Sequence, residues 1–197
     1  MKIAVYGATG MVGSRIVEEA RSRGLDVTRI SRHAGTDGLA GSAGDADFAA
    51  RIAADHDVVV SAIGPSRTSD DGDAFQRSIA TLVETLGGKR LVVVGGAGSL
   101  QVDGVALFDT DGFPSEYQTE ARKSAAVLQA LRETRAEVDW TYLSPAPVIA
   151  PGERTGTYKT ADESPAGDQI SAEDYAVALI DEIERPAHRR ARFTVAN

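Results

Sequence analysis

The chain has 197 residues, of which 42% are hydrophobic and 25% are charged. These values are typical of a globular protein, and one domain over residues 1–197 is long enough to enclose a sizeable core. A net charge of −8 argues against a nucleic-acid partner, since proteins that bind phosphate backbones usually present a clustered basic face. The absence of cysteine excludes disulfides, thiolate metal sites and a cysteine nucleophile.

The location of the protein is predicted from what the sequence lacks. The longest apolar stretches, such as residues 58–63, are the length of a strand and too short to span a membrane. No secretory signal pattern is visible, so we expect a cytoplasmic protein without a membrane partner. The basic cluster at 185–192 is interpreted as a solvated helix end.

A glycine-rich turn follows the first predicted strand, residues 3–6. Gly7 permits a sharp turn, Gly10 lets a pyrophosphate approach the backbone, and Gly13 lets the following helix pack closely on the strand. The unpaired N–H groups and the positive dipole end of that helix then face the anion. We therefore predict a cofactor phosphate site formed by Gly7, Thr9, Gly10, Met11, Val12 and Gly13.

The end of the second predicted strand indicates which dinucleotide binds. The first helix ends near Gly24, and the strand that follows completes a strand–helix–strand unit of the size expected for dinucleotide binding. NAD-specific folds usually place an acidic residue at the end of this strand, whereas this chain has Ser31 and Arg32. A guanidinium suits a 2′-phosphate, so we predict that NADP(H) is preferred over NAD(H). The alternative is that Arg32 is a surface residue of a loop.

The central part of the chain extends the predicted cofactor site. Residues 39–42 are the only candidate for a third strand, which must be short. Asp45 is predicted to cap the next helix or to accept a hydrogen bond from the adenine amino group. The apolar run 57–63 predicts a buried parallel strand, followed by a polar loop at 66–72. Three residues at the end of this strand, Ala62, Ile63 and Gly64, should lie against the adenosine ribose and the pyrophosphate.

The second half of the chain is predicted to form the substrate pocket. A strand over 90–94 leads to Gly95 and Gly96, which with Pro145 are predicted to border the nicotinamide. Residues 100–115 show no clean period and are interpreted as a loop over the active site, before a helix that begins at Tyr117. We expect the pocket to lie between loops 96–116 and 144–170. A strand over 138–143, a short strand within 155–160, a helix over 172–183 capped by Ser171, and a strand over 192–195 complete the chain.

Taken together, these segments resemble the atypical short-chain dehydrogenase/reductase group, near its NAD(P)H-binding NmrA-like and flavin reductase (biliverdin reductase B)-like branches. The resemblance implies a single-domain α/β Rossmann fold, with a doubly wound, mostly parallel sheet that has helices on both faces and a shortened third strand. It also implies that the chain binds NADP(H). The residues that carry the resemblance are 7–13, 31–32, 94–99, 143–145, 151–156 and 170–176.

One departure from the wider group concerns catalysis. Typical short-chain dehydrogenases use Tyr-x-x-x-Lys, but Ala121 stands where the lysine would follow Tyr117, and Lys123 is six residues away. This weakens an assignment as a general carbonyl reductase, yet a flavin or quinone can accept hydride with solvent or a weak donor supplying the proton. Ser99, Tyr117 and Lys123 are the candidates for substrate hydrogen bonding or proton supply. The three scattered histidines predict no metal site.

Three functions remain open from the sequence. The first is an NADPH-dependent oxidoreductase that transfers hydride to a small planar acceptor, namely a flavin, a quinone or a conjugated carbonyl. The second is a non-catalytic NADP(H)-binding module that senses redox state. The third is a nucleotide-sugar-type epimerase or dehydratase. In each case we expect a monomer or homodimer whose partner is a small molecule.

Overall fold

The computed structural model of the protein describes residues 1–33, 37–65 and 73–197. The predicted polar loop at 66–72 therefore lies outside the described residues. The strands are β1 (Lys2–Tyr6), β2 (Asp26–Ser31), β3 (Gly38–Ala40), β4 (Val58–Ser61), β5 (Arg90–Val94), β6 (Gln101–Val102), β7 (Val105–Ala106), β8 (Asp139–Ser144), β9 (Val148–Ala150), β10 (Lys159–Ala161), β11 (Gln169–Ser171) and β12 (Ala191–Ala196). The α-helices are α1 (Met11–Ser22), α2 (Ala46–Asp55), α3 (Ala74–Thr85), α4 (Gln118–Glu133) and α5 (Ala172–Glu184).

The centre of the fold is an eight-stranded sheet in the order β10-β12-β8-β5-β4-β1-β2-β3. Each neighbouring pair is parallel except β10 and β12, which are antiparallel. The chain leaves β1 towards β2 on one side and later returns to β4 on its other side, so the strand order reverses at β1. In open α/β sheets, ligands bind at the carboxyl ends of the strands beside such a reversal.

Helices cover both faces of this sheet. Helices α1 and α5 pack together on one face, where Ile16, Val17 and Leu179 belong to the buried core. Helices α2, α3 and α4 supply buried side chains to the other face, among them Ile52 and Ile79. The strands are apolar on both sides because both faces are covered, as the buried run of β4 illustrates. The predicted doubly wound α/β fold with a shortened third strand is confirmed.

The segment predicted as a loop over 100–115 contains regular structure, so that prediction is wrong in part. Strands β6 and β7 form an antiparallel hairpin in which Val102 pairs with Val105. Its turn consists of Asp103 and Gly104, both with positive φ (52° and 81°). An Asp-Gly pair between apolar residues is a strong signal for a two-residue hairpin turn. The search for a helical period missed this signal.

Smaller differences occur at three other elements. The third strand lies at Gly38–Ala40 rather than within 39–42, and the short strand predicted within 155–160 is β10 at Lys159–Ala161. Tyr117 lies in a 3₁₀ turn, Ser115–Tyr117, immediately before α4, rather than inside the helix. No helix in the described part of the chain is long and apolar enough to cross a membrane.

The basic cluster at 185–192 is less solvated than predicted. The interpretation as a solvated helix end holds for Arg185, which is exposed directly after α5. It is wrong for Arg192, which is buried on β12. Arg190 is exposed, and its guanidinium also donates to main-chain carbonyls within 134–138. The basic side chains there hold the last strand against its neighbours.

Candidate functional site

The predicted cofactor residues lie at one edge of the sheet. Each belongs to, or follows, the carboxyl end of a parallel strand, or begins a helix beside that edge. The structure therefore brings together groups that are up to 138 positions apart in the sequence. From β1 onward these residues are Gly7 to Gly13, Ser31 and Arg32, Asp45, Ala62 to Gly64, Gly95 and Gly96, and Pro145.

The three glycines of the first turn differ in how strictly the local packing requires them. Gly7 has a φ of 77°, and a Cβ there would lie 2.5 Å from the carbonyl oxygen of Ala62. At Gly13 a Cβ would lie 2.1 Å from the carbonyl oxygen of Gly7, so the close packing of α1 on β1 excludes any side chain. At Gly10 the nearest atom is the Gly7 oxygen at 3.4 Å, an ordinary contact. Packing therefore does not require glycine at position 10. The side of Gly10 on which a Cβ would stand is open, which leaves room for a ligand.

The N-terminus of α1 has the features that favour the binding of an anion. Gly10 is the N-cap, no described side chain caps the helix, and the first turn contains no acidic residue. The first N–H groups of a helix lack intrahelical acceptors, and the helix dipole adds positive potential at the same point. Because Gly10 is itself the N-cap, the space beside it adjoins these N–H groups.

Arg32 is an exposed cation at the end of β2. It forms no hydrogen bond or ion pair with the described residues, whereas Arg29 of the same strand pairs with Asp37. Beside it, the hydroxyl of Ser31 donates to the carbonyl of His33. A guanidinium at this position suits an anionic group of a dinucleotide.

Asp45 caps α2, which confirms the first of the two roles predicted for it. Its carboxylate accepts from the main-chain N–H of Phe48 at 3.0 Å. Its contact with adenine stays a prediction.

The second glycine run, residues 95–98 after β5, packs closely against neighbouring side chains. A Cβ on Gly95 would lie 2.2 Å from the ring of Tyr142. The Gly96 N–H donates to the Tyr142 hydroxyl at 3.0 Å, and the Ser144 hydroxyl donates to the Gly96 carbonyl at 3.0 Å. Burial raises the pKa of Tyr142 to about 12, so its hydroxyl stays protonated and donates to the Ser124 carbonyl. These contacts tie the turn to β8 and α4, and its contact with a nicotinamide stays a prediction.

Of the three catalytic candidates, Ser99 follows the second glycine run, and Tyr117 and Lys123 lie at the start of α4. The Ser99 oxygen accepts from the guanidinium of Arg192 at 3.0 Å. Tyr117 is 46% exposed just before α4, and Lys123 is half-buried within that helix. Ala121 packs on the glycine run, since a Cβ on Gly98 would lie 2.6 Å from its own Cβ. Contact of these side chains with a substrate stays a prediction.

Glu173, which the sequence did not single out, connects two parts of the site. Its carboxylate accepts from Arg15 of α1 at 3.0 Å and from the Gly152 N–H at 2.7 Å. Burial opposes ionisation of Glu173, but these donors prevail and hold its pKa below the ordinary value. The helix at the phosphate site is thereby fastened to the segment that follows β9.

Asp174 fastens the next residues of that segment. It is completely buried and accepts from the Thr155 hydroxyl at 2.6 Å, the Gly156 N–H at 2.8 Å and the Asn197 amide at 2.8 Å. Burial acts to raise its pKa, yet these hydrogen bonds outweigh burial and keep it below the ordinary value.

Arg154 completes the attachment through two hydrogen bonds, of 2.7 and 2.8 Å, to Glu19 of α1. The motifs at 151–156 and 170–176 therefore interlock. The sequence indicated both motifs, but their pairing depends on tertiary contacts.

The described residues contain no group of three histidine, aspartate or glutamate side chains that could hold a metal ion.

Comparison with known proteins places this geometry in a family. The profile of the NAD(P)H-binding family matches residues 7–186. The Bacillus subtilis protein YwnB is 38% identical over 212 aligned positions, which cover 100% of this chain and 99% of YwnB. A crystal structure from Burkholderia pseudomallei is 42% identical, covers 100% of both chains and has a TM-score of 0.89.

A crystal structure from Streptococcus pneumoniae, described as a candidate NADH-flavin reductase, is 34% identical, with a TM-score of 0.90 over 100% of this chain and 99% of that one. The anaerobilin reductase ChuY of Escherichia coli is 18% identical with a TM-score of 0.78, which supports the fold alone. The chain therefore belongs to the NAD(P)H-binding family, and its resemblance to atypical short-chain dehydrogenase/reductases is confirmed.

Proposed function

We propose that the protein is an NADPH-dependent oxidoreductase that transfers hydride to a small planar acceptor, which is a flavin, a quinone or a conjugated carbonyl. The observation that carries the proposal is the open side of Gly10 at the uncapped N-terminus of α1, which suits a pyrophosphate. Membership of the NAD(P)H-binding family and the flavin reductase description of one relative support a reductase role.

The preference for NADPH rests on Arg32. Its guanidinium has no partner among the described residues and can form charge-assisted hydrogen bonds with the 2′-phosphate, worth about 1.5–3 kcal/mol. A difference of that size corresponds to a roughly 10- to 150-fold tighter binding of NADPH than of NADH. The name of the Streptococcus relative refers to NADH, so the preference is argued from this chain's own side chains.

The acceptor would bind where the residues after β5 approach those after β8. The stretches 96–116 and 144–170 touch here, because the Gln101 N–H donates to the Glu163 carbonyl at 2.8 Å. The bound nicotinamide supplies hydride chemistry, and the chain supplies binding and orientation. Ser99, Tyr117 and Lys123 are the side chains proposed to hydrogen-bond the acceptor or to supply its proton.

The proposal is tested by mixing the protein with NADPH and a panel of flavins, quinones and conjugated carbonyls under anaerobic conditions. Loss of the reduced-nicotinamide absorbance is followed for each acceptor. We expect protein-dependent oxidation with at least one acceptor, and a much slower rate when NADH replaces NADPH at low concentration. An inert result with every acceptor, from protein that binds NADPH, would refute the oxidoreductase proposal.

A second candidate function, a non-catalytic sensor of the NADPH to NADP⁺ ratio, is favoured by Ala121 at the position of the usual lysine. A sensor binds its protein partner differently in the apo and the cofactor-loaded states. Affinity capture from a cell extract, with and without NADPH, compares the two states. An unchanged set of captured proteins counts against the sensor.

A further inference from the structure

Arg192 on β12 is a buried cation beside a candidate catalytic residue. Its side chain is 1% exposed. One guanidinium nitrogen donates to the Ser99 hydroxyl oxygen at 3.0 Å, and another pairs with the carboxylate of Glu163 and reaches the Glu163 carbonyl at 3.4 Å. Its Nε is buried and has no partner among the described residues.

The burial of Arg192 is costly, which calls for an explanation beyond stability. Moving a charge out of water costs several kcal/mol, and a buried ion pair can often be replaced by apolar residues without loss of stability. The unsatisfied Nε adds to this cost. Phe193 and Val195 alternate with Arg192 along the strand and fill the opposite face with apolar side chains, and the next residue on the face of Arg192 is the small, uncharged Thr194. We therefore explain the presence of a guanidinium here by its contacts with Ser99 and Glu163 rather than by a contribution to stability.

The contact determines how the Ser99 hydroxyl can be used. A hydroxyl has one proton to donate and two lone pairs to accept with. Because the guanidinium can only donate, Ser99 accepts from it and keeps its own proton for another acceptor. The adjacent positive charge also makes that O–H a stronger donor. Arg192 has the same kind of effect on Tyr142, where burial raises the pKa of the hydroxyl and the charge of Arg192 opposes that rise.

Arg192 also joins the two stretches between which the acceptor is proposed to bind. Through Ser99 it holds the residues after β5, and through Glu163 it holds the residues after β10. Glu163 receives a further contact from Arg132 on α4 and accepts from the Gln101 N–H. The side chain thus fixes both the orientation of Ser99 and its distance from the opposite stretch.

We propose that Arg192 is a positioning residue that orients Ser99 so that its hydroxyl donates a hydrogen bond to a polar atom of the acceptor. This inference rests on the proposed function, because it assumes that an acceptor binds beside Ser99. Arg192 itself does not contact the acceptor.

The test is a double-mutant cycle with Ser99→Ala and Arg192→Met, measuring kcat and KM for the acceptor and Kd for NADPH. We expect each single variant to lower kcat/KM for the acceptor by about tenfold, as for loss of one hydrogen bond, with Kd for NADPH unchanged. The double variant should lose no more than either single one, because both remove the same interaction. Arg192→Gln, which keeps an N–H donor, should recover part of the activity that Arg192→Met loses.

Arg132→Met is the matched control, since Arg132 contacts Glu163 from the other side and is partly exposed. It should leave acceptor kinetics unchanged. Losses that multiply in the double variant, or Arg192→Met with normal kcat/KM, would overturn the inference. If the Arg192 variants do not fold, Ser99→Ala decides alone, since full acceptor turnover in this variant overturns the positioning role. An unmodified protein that is inert with every acceptor overturns the proposed function as well.

Discussion

Replacing Gly10 by alanine should weaken cofactor binding at the predicted phosphate site while leaving the stability of the fold nearly unchanged. Gly10 has a φ of −74° and a ψ of 169°, which alanine adopts without strain. Among the described residues, its added Cβ would meet the Gly7 oxygen alone, at 3.4 Å. Alanine is a poorer N-cap than glycine, which destabilises the fold, but it also reduces the entropy of the unfolded chain, which stabilises the fold. Each effect is about 0.5–1 kcal/mol, so the two nearly cancel. We expect the free energy of unfolding to change by less than about 1 kcal/mol, or the Tm by less than about 4 °C.

The same methyl group occupies the side from which a pyrophosphate would approach. Displacing the phosphate weakens charge-assisted hydrogen bonds worth about 1.5–3 kcal/mol. The Kd for NADPH should therefore rise by about 10- to 150-fold. Titration followed by the fluorescence of the reduced nicotinamide measures Kd, and thermal unfolding measures Tm on the same sample.

Two other glycines serve as controls. Gly112→Ala places a Cβ where no atom of the described residues lies within 4 Å, and should leave both Kd and Tm unchanged. Gly13→Ala places its Cβ 2.1 Å from the Gly7 oxygen and should lower Tm strongly. A folded Gly10→Ala variant that binds NADPH as tightly as the unmodified protein would refute the assignment of this turn as the pyrophosphate site.

Three further predictions concern specificity, proton supply and acid stability. Arg32→Asp should move the preference from NADPH towards NADH, because a carboxylate repels the 2′-phosphate and can bond a ribose hydroxyl; equal Kd values for both cofactors in the unmodified protein would contradict this reasoning. Tyr117→Phe should lower acceptor turnover without changing Kd for NADPH, and full turnover would remove Tyr117 as the proton donor. Asp174→Asn should destabilise the fold by about 1–3 kcal/mol at neutral pH, since it places an amide where a buried carboxylate accepts from N–H and O–H donors. The ordinary pKa values of Asp174 and Glu19 are 3.8 and 4.5, and folding lowers both. Their stabilisation is therefore complete above these values and is lost as the pH falls through the lower folded-state values. Urea unfolding at several pH values should show a weaker acid dependence in Asp174→Asn, and an identical dependence would contradict the role of this carboxylate.

Local patterns were sufficient to predict the framework of the fold. The glycine spacing, the apolar run of β4 and the caps at Asp45 and Ser171 depend on residues close in sequence, and the structure confirms them. The hairpin turn at Asp103 and Gly104 was also locally encoded and was overlooked.

Other features of the site could not be predicted because they depend on distant partners. The burial of Arg192 against Ser99 joins positions 93 residues apart. The bridge from Arg15 to Glu173 spans 158 residues. The need for glycine at position 95 comes from the ring of Tyr142 on the neighbouring strand, rather than from the turn itself. Such contacts become visible only when strand order and register are known.

The most direct test of the central claim compares rates with ordinary NADPH and with NADPH deuterated at the hydride-donating carbon of the nicotinamide. Protein already loaded with cofactor is mixed anaerobically with an excess of an active acceptor, and a single turnover is followed by absorbance. Transfer of hydride within the site predicts slower oxidation of the deuterated cofactor, with one acceptor molecule reduced for each NADPH consumed. No oxidation of bound NADPH by any acceptor in the panel would contradict the account.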